Sequence, residues 1–236
     1  MICTTQGIVL QTIKYSDSSI IARIFTKQYG IGSFIMNNVR GKRSKMAYFQ
    51  PLSHVNISIY KKNNATIHRI KSIEFEKLHV ALFSDLQKAS IASFLGEVLS
   101  KIIQSEETND ALFNFICNEI EYLSDTNEPL GWFHILFLLK LMQYFGIHPS
   151  VENANNAPYF DMYAGCFSAT FSESCLTSEQ STHLKHALSC IENNSPIPLQ
   201  KKERIVLLET IINYYRIHVQ KFSTIQSIEI LQSVFA

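Results

Sequence analysis

Tryptophan occurs once in this chain of 236 residues, proline six times and glycine eight times. So little proline and glycine excludes a collagen-like or low-complexity chain. Acidic residues are scarce at one end, where residues 1–80 hold only Asp17, Glu74 and Glu76. Nuclease-type chemistry needs clustered carboxylates to hold metal ions, so that stretch is a poor place for such a site. The longest apolar run, Ile135 to Leu139, ends at Lys140 and is far too short to cross a bilayer. The opening MICTTQGIVLQTIKYSD has no basic start and no long apolar block, so it does not read as a secretory signal. A soluble cytoplasmic protein with no membrane contact is expected. The five cysteines, Cys3, Cys117, Cys166, Cys175 and Cys190, are odd in number and irregularly spaced, which argues for reduced thiols and against a disulfide framework. No GxSxG and no HExxH occurs. The stretch VRGKRS is not a phosphate-cradling loop, because Met36 stands where its first glycine belongs and Arg43 where it needs Ser or Thr. Neither an enzyme nor a cofactor is expected.

What the chain does have is segregated charge. Residues 1–80 carry 12 lysines and arginines against three acids, a balance of +9, and residues 81–236 carry nine against 17, a balance of −8, so the formal net charge is only +1. A polyanion is attracted by such a chain at one end alone. The stretch NNVRGKRSKMAYFQPLSH, residues 37–54, sets Arg40, Lys42, Arg43 and Lys45 within six positions and holds no acid. Long cations on a segment freed by Gly41 suit phosphate contact, and arginine adds bidentate geometry. Arg23, Lys27, Lys61, Lys62 and Arg69 extend the candidate nucleic-acid-binding set, with Lys71 beside them. Among 16 phenylalanines and 10 tyrosines, Tyr48 and Tyr60 are the candidates on which bases stack.

The hydrophobic period changes near residue 80. Before it, five short runs read as strands: GIVLQTI, SSIIARIFT, SFIMN, HVNISIYKK and ATIHRIKSIEFEK, separated by turns that include Gly30, Gly32 and the polar stretch Lys61 to Asn64. Ile20, Ala22 and Ile24 alternate with Ile21, Arg23 and Phe25, and Val55, Ile57 and Ile59 point inward. Five strands in about 75 residues predict an oligonucleotide-binding barrel. After it, helices are predicted over 85–103 beginning at Asp85, over 109–124 with Asn109 as cap, over the nearly all-apolar 131–145 stopped by Gly146, from Thr177 or Ser178 to about 190, over KKERIVLLETIINYYRIHVQKF, and over the last residues. The fold class is therefore two-domain α+β, with a basic barrel over 1–80 and an acidic helical domain over 81–236, interrupted by an irregular segment, 149–177. His183, His186 and Cys190 share a helical face with Cys166 and Cys175 upstream, which are zinc-ligand types, but no CxxC pair is present and no metal site is expected.

In order and coverage the chain resembles the RecO family of bacterial recombination mediators. The resemblance rests on GIVLQTIKYSDSSIIARIFTKQYGIGSFIMNNVRGKRSKMAYFQPL at the start, LLKLMQYFGIHP in the middle and YYRIHVQKFSTIQSIEILQSVF at the end. It implies an oligonucleotide-binding barrel followed by a helical domain, binding of single- and double-stranded DNA, and annealing of complementary strands. It also implies work with RecR and single-strand-binding protein to help RecA, indirectly, onto coated DNA. By position, the family's DNA-contacting loop falls on Arg40, Lys42, Arg43 and Lys45. Docking of the acidic, apolar tail of single-strand-binding protein would need a basic and apolar pocket, with Lys140, Lys185, Lys201, Lys202, Arg204 and Arg216 as open choices for its walls. One departure is plain. Many relatives hold a four-cysteine zinc module where this chain reads NNAPYFDMYAGCFSATFSESC, and Tyr159, Phe160, Tyr163 and Phe167 are expected to pack in its place. A generic single-stranded RNA-binding module is the alternative reading of the same barrel and charge.

Overall fold

The computed structural model describes residues 1–40, 44–61, 65–104, 107–191 and 195–235. Five strands, β1 (Ile2–Lys14), β2 (Ile20–Thr26), β3 (Gly30–Met36), β4 (His54–Tyr60) and β5 (Ile67–Lys77), close into a barrel in the order β1-β2-β3-β5-β4. Strand β1 serves two neighbours. Its first half pairs with β4, from Ile2 opposite Tyr60 to Ile8 opposite His54, and its second half pairs with β2. A bulge between Val9 and Gln11 bends it from one partner toward the other. All pairings are antiparallel except β3 with β5. The alternation predicted for β2 and β4 is met: Ile20, Ala22, Ile24, Val55, Ile57 and Ile59 are buried and pack with Val9 and Phe34 inside the barrel. Phe25 is buried as well, because it meets Phe113 of a helix at 5.7 Å.

Helices follow: α1 (Ala81–Ser84), α2 (Leu86–Ile102), α3 (Asp110–Asp125), α4 (Phe133–Leu141), α5 (Ser178–Ser189), α6 (Lys201–His218) and α7 (Ser227–Val234). The chain therefore has the α+β class, a closed barrel and then a helical region. The change from strand to helix falls between Lys77 and Ala81, whereas the compact units divide elsewhere: one comprises 1–127 with 224–236, the other 128–223.

In the first unit α2 starts at Asp85, whose carboxylate accepts from the backbone N–H groups of Gln87 and Lys88, and α3 starts at Asn109, which accepts from Leu112 N–H. Helix α2 lies so close to β1 that a Cβ on Gly96 would sit 2.5 Å from the Leu10 carbonyl oxygen, so no larger residue fits. Glu97 ties α7 to α2. It accepts from the Lys101 ammonium, from the backbone N–H of Gln226 and Ser227, and from the Ser227 hydroxyl.

In the second unit α4 is buried nearly all round, and the Tyr215 hydroxyl of α6 donates to the Leu138 carbonyl at 2.7 Å. Gly146, at φ 66°, ends the helical turn that follows α4. The segment expected to be irregular contains a hairpin, β6 (Tyr159–Asp161) with β7 (Cys166–Ser168). Its turn is fixed by Asp161, which accepts from the N–H groups of Tyr163 and Ala164. Phe160 and Phe167 pack edge to face at 5.1 Å, and Phe160 also meets Tyr214 at 5.8 Å. Tyr163 does not join them, because the hairpin turn leaves it 69% exposed, and Tyr159 packs on Phe171 instead. Helix α6 is shorter than the apolar stripe predicted. It ends at His218, and the chain turns back to stack Phe222 on Tyr215 at 5.6 Å. Among the described residues no helix is long and apolar enough to cross a membrane.

Candidate nucleic-acid interface

Lateral register places one residue from each strand in a row around the barrel. Ile13 lies opposite Ile21, Ile21 opposite Ile35, Ile35 opposite Arg69, and Arg69 opposite Tyr60. These side chains have the parity that faces away from the core, and each is exposed or half-exposed. Ile13 is 60% exposed and Tyr60 40%. The result is an apolar band with a guanidinium in it. Two residues along the strands the next row reads Gln11, Arg23, Ser33 and Ile67. Strand spacing puts the Cα atoms of Arg23 and Arg69 roughly 12 Å apart. Lys14 and the exposed Tyr15 close the band at the β1 end, where Lys14 pairs with Asp17 at 3.2 Å.

The cations named from the sequence fall into groups. Arg23, Lys61 and Arg69 lie toward the β3–β5 side. The Lys61 ammonium sits 3.9 Å from the centre of the Tyr29 ring, and Arg23 donates through Nη2 to the Ile103 carbonyl at 3.4 Å. Arg40 is exposed and shares a cavity of about 480 Å³ with Lys14, Met46 and Phe49. Lys45 is half-buried and begins the short helical turn Met46–Phe49. Its backbone N–H donates to Val39, and Val39 N–H in turn donates to Ser18 of the β1–β2 hairpin. These contacts bring Val39 and Lys45 to the tip of that hairpin. Lys27 stands apart, in the β2–β3 turn near Cys117 of α3, whose thiol burial pushes up to about 11 against the opposing pull of the Lys27 ammonium. Lys42, Arg43 and Lys62 lie outside the described residues. Among the described residues, Arg40, Lys45, Arg69 and Lys71 make no side-chain hydrogen bond or ion pair. Of the stacking candidates, Tyr48 lies against Phe75 at 4.5 Å and is part of the packing, while Tyr60 is open. The apolar band itself was not anticipated, because register across a barrel is a non-local property.

Cations of the helical region are employed differently. Lys88 is buried and donates to the carbonyls of Ser124 and Thr126 at 2.7 and 2.8 Å. Lys185 donates to the Ala154 carbonyl, Arg204 to that of Leu199, and Arg216 to Asn213. Lys201 and Lys202 stay exposed in the first turn of α6.

The zinc-type residues do not fit a metal. The His183 ring lies 3.8 Å from the Glu203 carboxylate, Cys190 donates to the Pro196 carbonyl, and Cys175 lies against Ser172 and the Thr170 carbonyl. Among the described residues no three His, Cys, Asp or Glu side chains come together as a ligand set.

A family model described as Recombination protein O N terminal matches residues 1–79, and one described as Recombination protein O C terminal matches residues 83–224. The chain belongs to the Recombination protein O family. A protein named DNA repair protein RecO from Flavobacterium psychrophilum is 33% identical over 236 residues, covering 98% of each chain. Its namesake from Flavobacterium johnsoniae is 32% identical, again over 98% of each chain. That from Phocaeicola vulgatus is 29% identical over the whole of both. The junction between the two RecO family models, residues 80–82, falls where β5 has ended and α1 begins.

Proposed function

We propose that this RecO-family chain serves DNA repair and recombination as a DNA-binding protein that makes and breaks no covalent bond. Single strands lie across the barrel, their phosphates near Arg23, Arg40, Lys45, Lys61 and Arg69 and their bases near the apolar band. Two negative strands repel each other, and cations on one surface reduce that repulsion so that base pairing can proceed. Annealing follows, and with RecR and single-strand-binding protein the chain helps RecA onto coated DNA. The observation that supports this reading best is that Arg69, which makes no side-chain hydrogen bond or ion pair among the described residues, stands in the half-exposed row from Ile13 to Tyr60. The relatives' name, DNA repair protein, agrees with it.

Each phosphate contact to a single strand releases counterions, so log K against log salt should fall with a slope of about −0.7 per contact, or roughly −3.5 for five contacts. A slope near zero would contradict the proposal. A strand-annealing assay, with and without single-strand-binding protein on the DNA, tests the mediator role: acceleration in both conditions supports it, and acceleration on bare DNA alone restricts the chain to annealing. Matched RNA strands bound more tightly at equal salt would favour an RNA-binding module.

A further inference from the structure

Among the described residues, the pairing that closes the barrel between β3 and β5 is short. Strand β5 meets β3 at only three paired positions, Ser33 with Ile67, Phe34 with His68 and Ile35 with Arg69. The first half of β3, Gly30 to Gly32, pairs with β2 on one side, and no described strand pairs with it on the other. A cavity of about 350 Å³ opens there and reaches Phe34 and Ile59 of the barrel core. Arg23 and Lys61 line it, and no acidic residue does so among the described residues. Two of its nitrogens, Arg23 Nε and His68 Nδ1, are buried without a hydrogen-bond partner.

A buried, unpaired donor on a cation is costly, and such groups in a folded protein call for a ligand or another explanation. Here they accompany two cations with no carboxylate beside them, which selects an anion. The same cavity offers the Tyr29 and Phe34 rings and the Ile31 and Ile59 side chains, which suit a flat apolar group. Its volume lies at the low end of ligand pockets, so it holds one small ligand, not a run of residues. We infer that this cavity takes a single nucleotide of a DNA strand, with the phosphate on Arg23 and Lys61 and the base against the apolar floor. The inference rests on the reading of the barrel as a DNA-binding surface and adds a specific seat to it. A base reaches such a seat only out of its stack, which costs least in single-stranded DNA. The cavity therefore gives the barrel a preference for single strands that surface cations alone do not supply.

The test uses the full chain with two variants, Arg23→Gln, which removes the guanidinium, and Ala65→Leu, which adds bulk to the cavity and leaves every charge in place. Melting temperatures establish that each folds, and Ala65→Leu decides alone if Arg23→Gln does not. Affinities are measured for a single-stranded oligonucleotide and a duplex of the same length at one salt concentration. Arg23→Gln should lose about tenfold more affinity for the single strand than for the duplex, the size of one charge-assisted hydrogen bond, and Ala65→Leu, by filling the space the base would take, should lose affinity for the single strand and keep it for the duplex. Equal losses on both forms, or no loss on either, overturn the nucleotide seat while leaving the broader DNA-binding reading standing. The second of those results is also what a cavity built for an acidic peptide would give. A parent protein that binds neither form overturns both readings.

Discussion

Residues 1–80 and 81–236 differ in how several of their cations are used, although Lys77 of β5 pairs with Glu121 and Lys201 and Lys202 of α6 stay exposed. In the barrel, Arg40, Lys45, Arg69 and Lys71 carry no internal partner among the described residues, and Lys61 rests only on the face of Tyr29. In the helical region, Lys88, Lys185 and Arg204 are committed to backbone carbonyls, and Lys101 to Glu97. The second pattern stabilises a fold: these ammonium and guanidinium groups satisfy carbonyls that helix ends and loops leave open. The first contributes little to folding and is available to a polyanion. Net charge alone does not separate the two patterns. The partners of each cation do.

The largest expected effect breaks the comparison on its structural side. Lys88→Met removes the ammonium that bridges the Ser124 and Thr126 carbonyls near the end of α3. It should cost about 3 kcal/mol of stability in a urea titration, because charged hydrogen bonds disappear and carbonyls are left poorly satisfied. DNA affinity of the folded variant should not change. A smaller effect concerns Glu97. Burial alone would raise its pKa, but the Lys101 ammonium, the Ser227 hydroxyl and the N–H groups of Gln226 and Ser227 outweigh it and hold it at about 2. The folded value lies below the unfolded one, so its contribution is complete above pH 4.5 and is lost as pH falls toward 2. That contribution is on the order of 2 kcal/mol. Urea titrations across this range should show the loss in the parent and a flatter profile in Glu97→Gln. The smallest effect sharpens the barrel side. Lys14 and Asp17 form an exposed pair; Asp17→Asn should leave the melting temperature unchanged and strengthen single-strand binding slightly at low salt.

Much of this architecture could be read from residue order because its causes are local. Asp85, Asn109 and Thr177 cap the helices they precede, and each cap is a side chain reaching backbone N–H groups two or three residues ahead. The strands of Val55, Ile57 and Ile59 show their inward face in every second residue. What escaped depends on residues far apart. The hairpin at Tyr159–Ser168 is too short for alternation to reveal, and its turn is set by one Asp161 carboxylate. Arg23 looked like any other barrel cation, but it reaches Ile103, 80 positions away, and borders the cavity beside β3. Lys88 drew no notice in the sequence, because its partners, the Ser124 and Thr126 carbonyls, lie 36 and 38 positions away. The candidate site was thus visible as a list of cations, while the band and the cavity that give it shape follow from strand register.

The most direct test of the central claim, that unpaired barrel cations meet phosphates, is the salt dependence of single-strand binding by the parent and by a chain with Arg40, Lys45, Arg69 and Lys71 all changed to Ala. Arg40, Arg69 and Lys71 are exposed and Lys45 is half-buried, and none of the four has a side-chain partner among the described residues, so removing them should leave stability nearly unchanged. The slope of log K against log salt should become shallower by about 0.7 for each phosphate no longer neutralised, and affinity should fall alike on every sequence. A variant that binds with the parent's slope and affinity would contradict the account and place the DNA elsewhere on the protein.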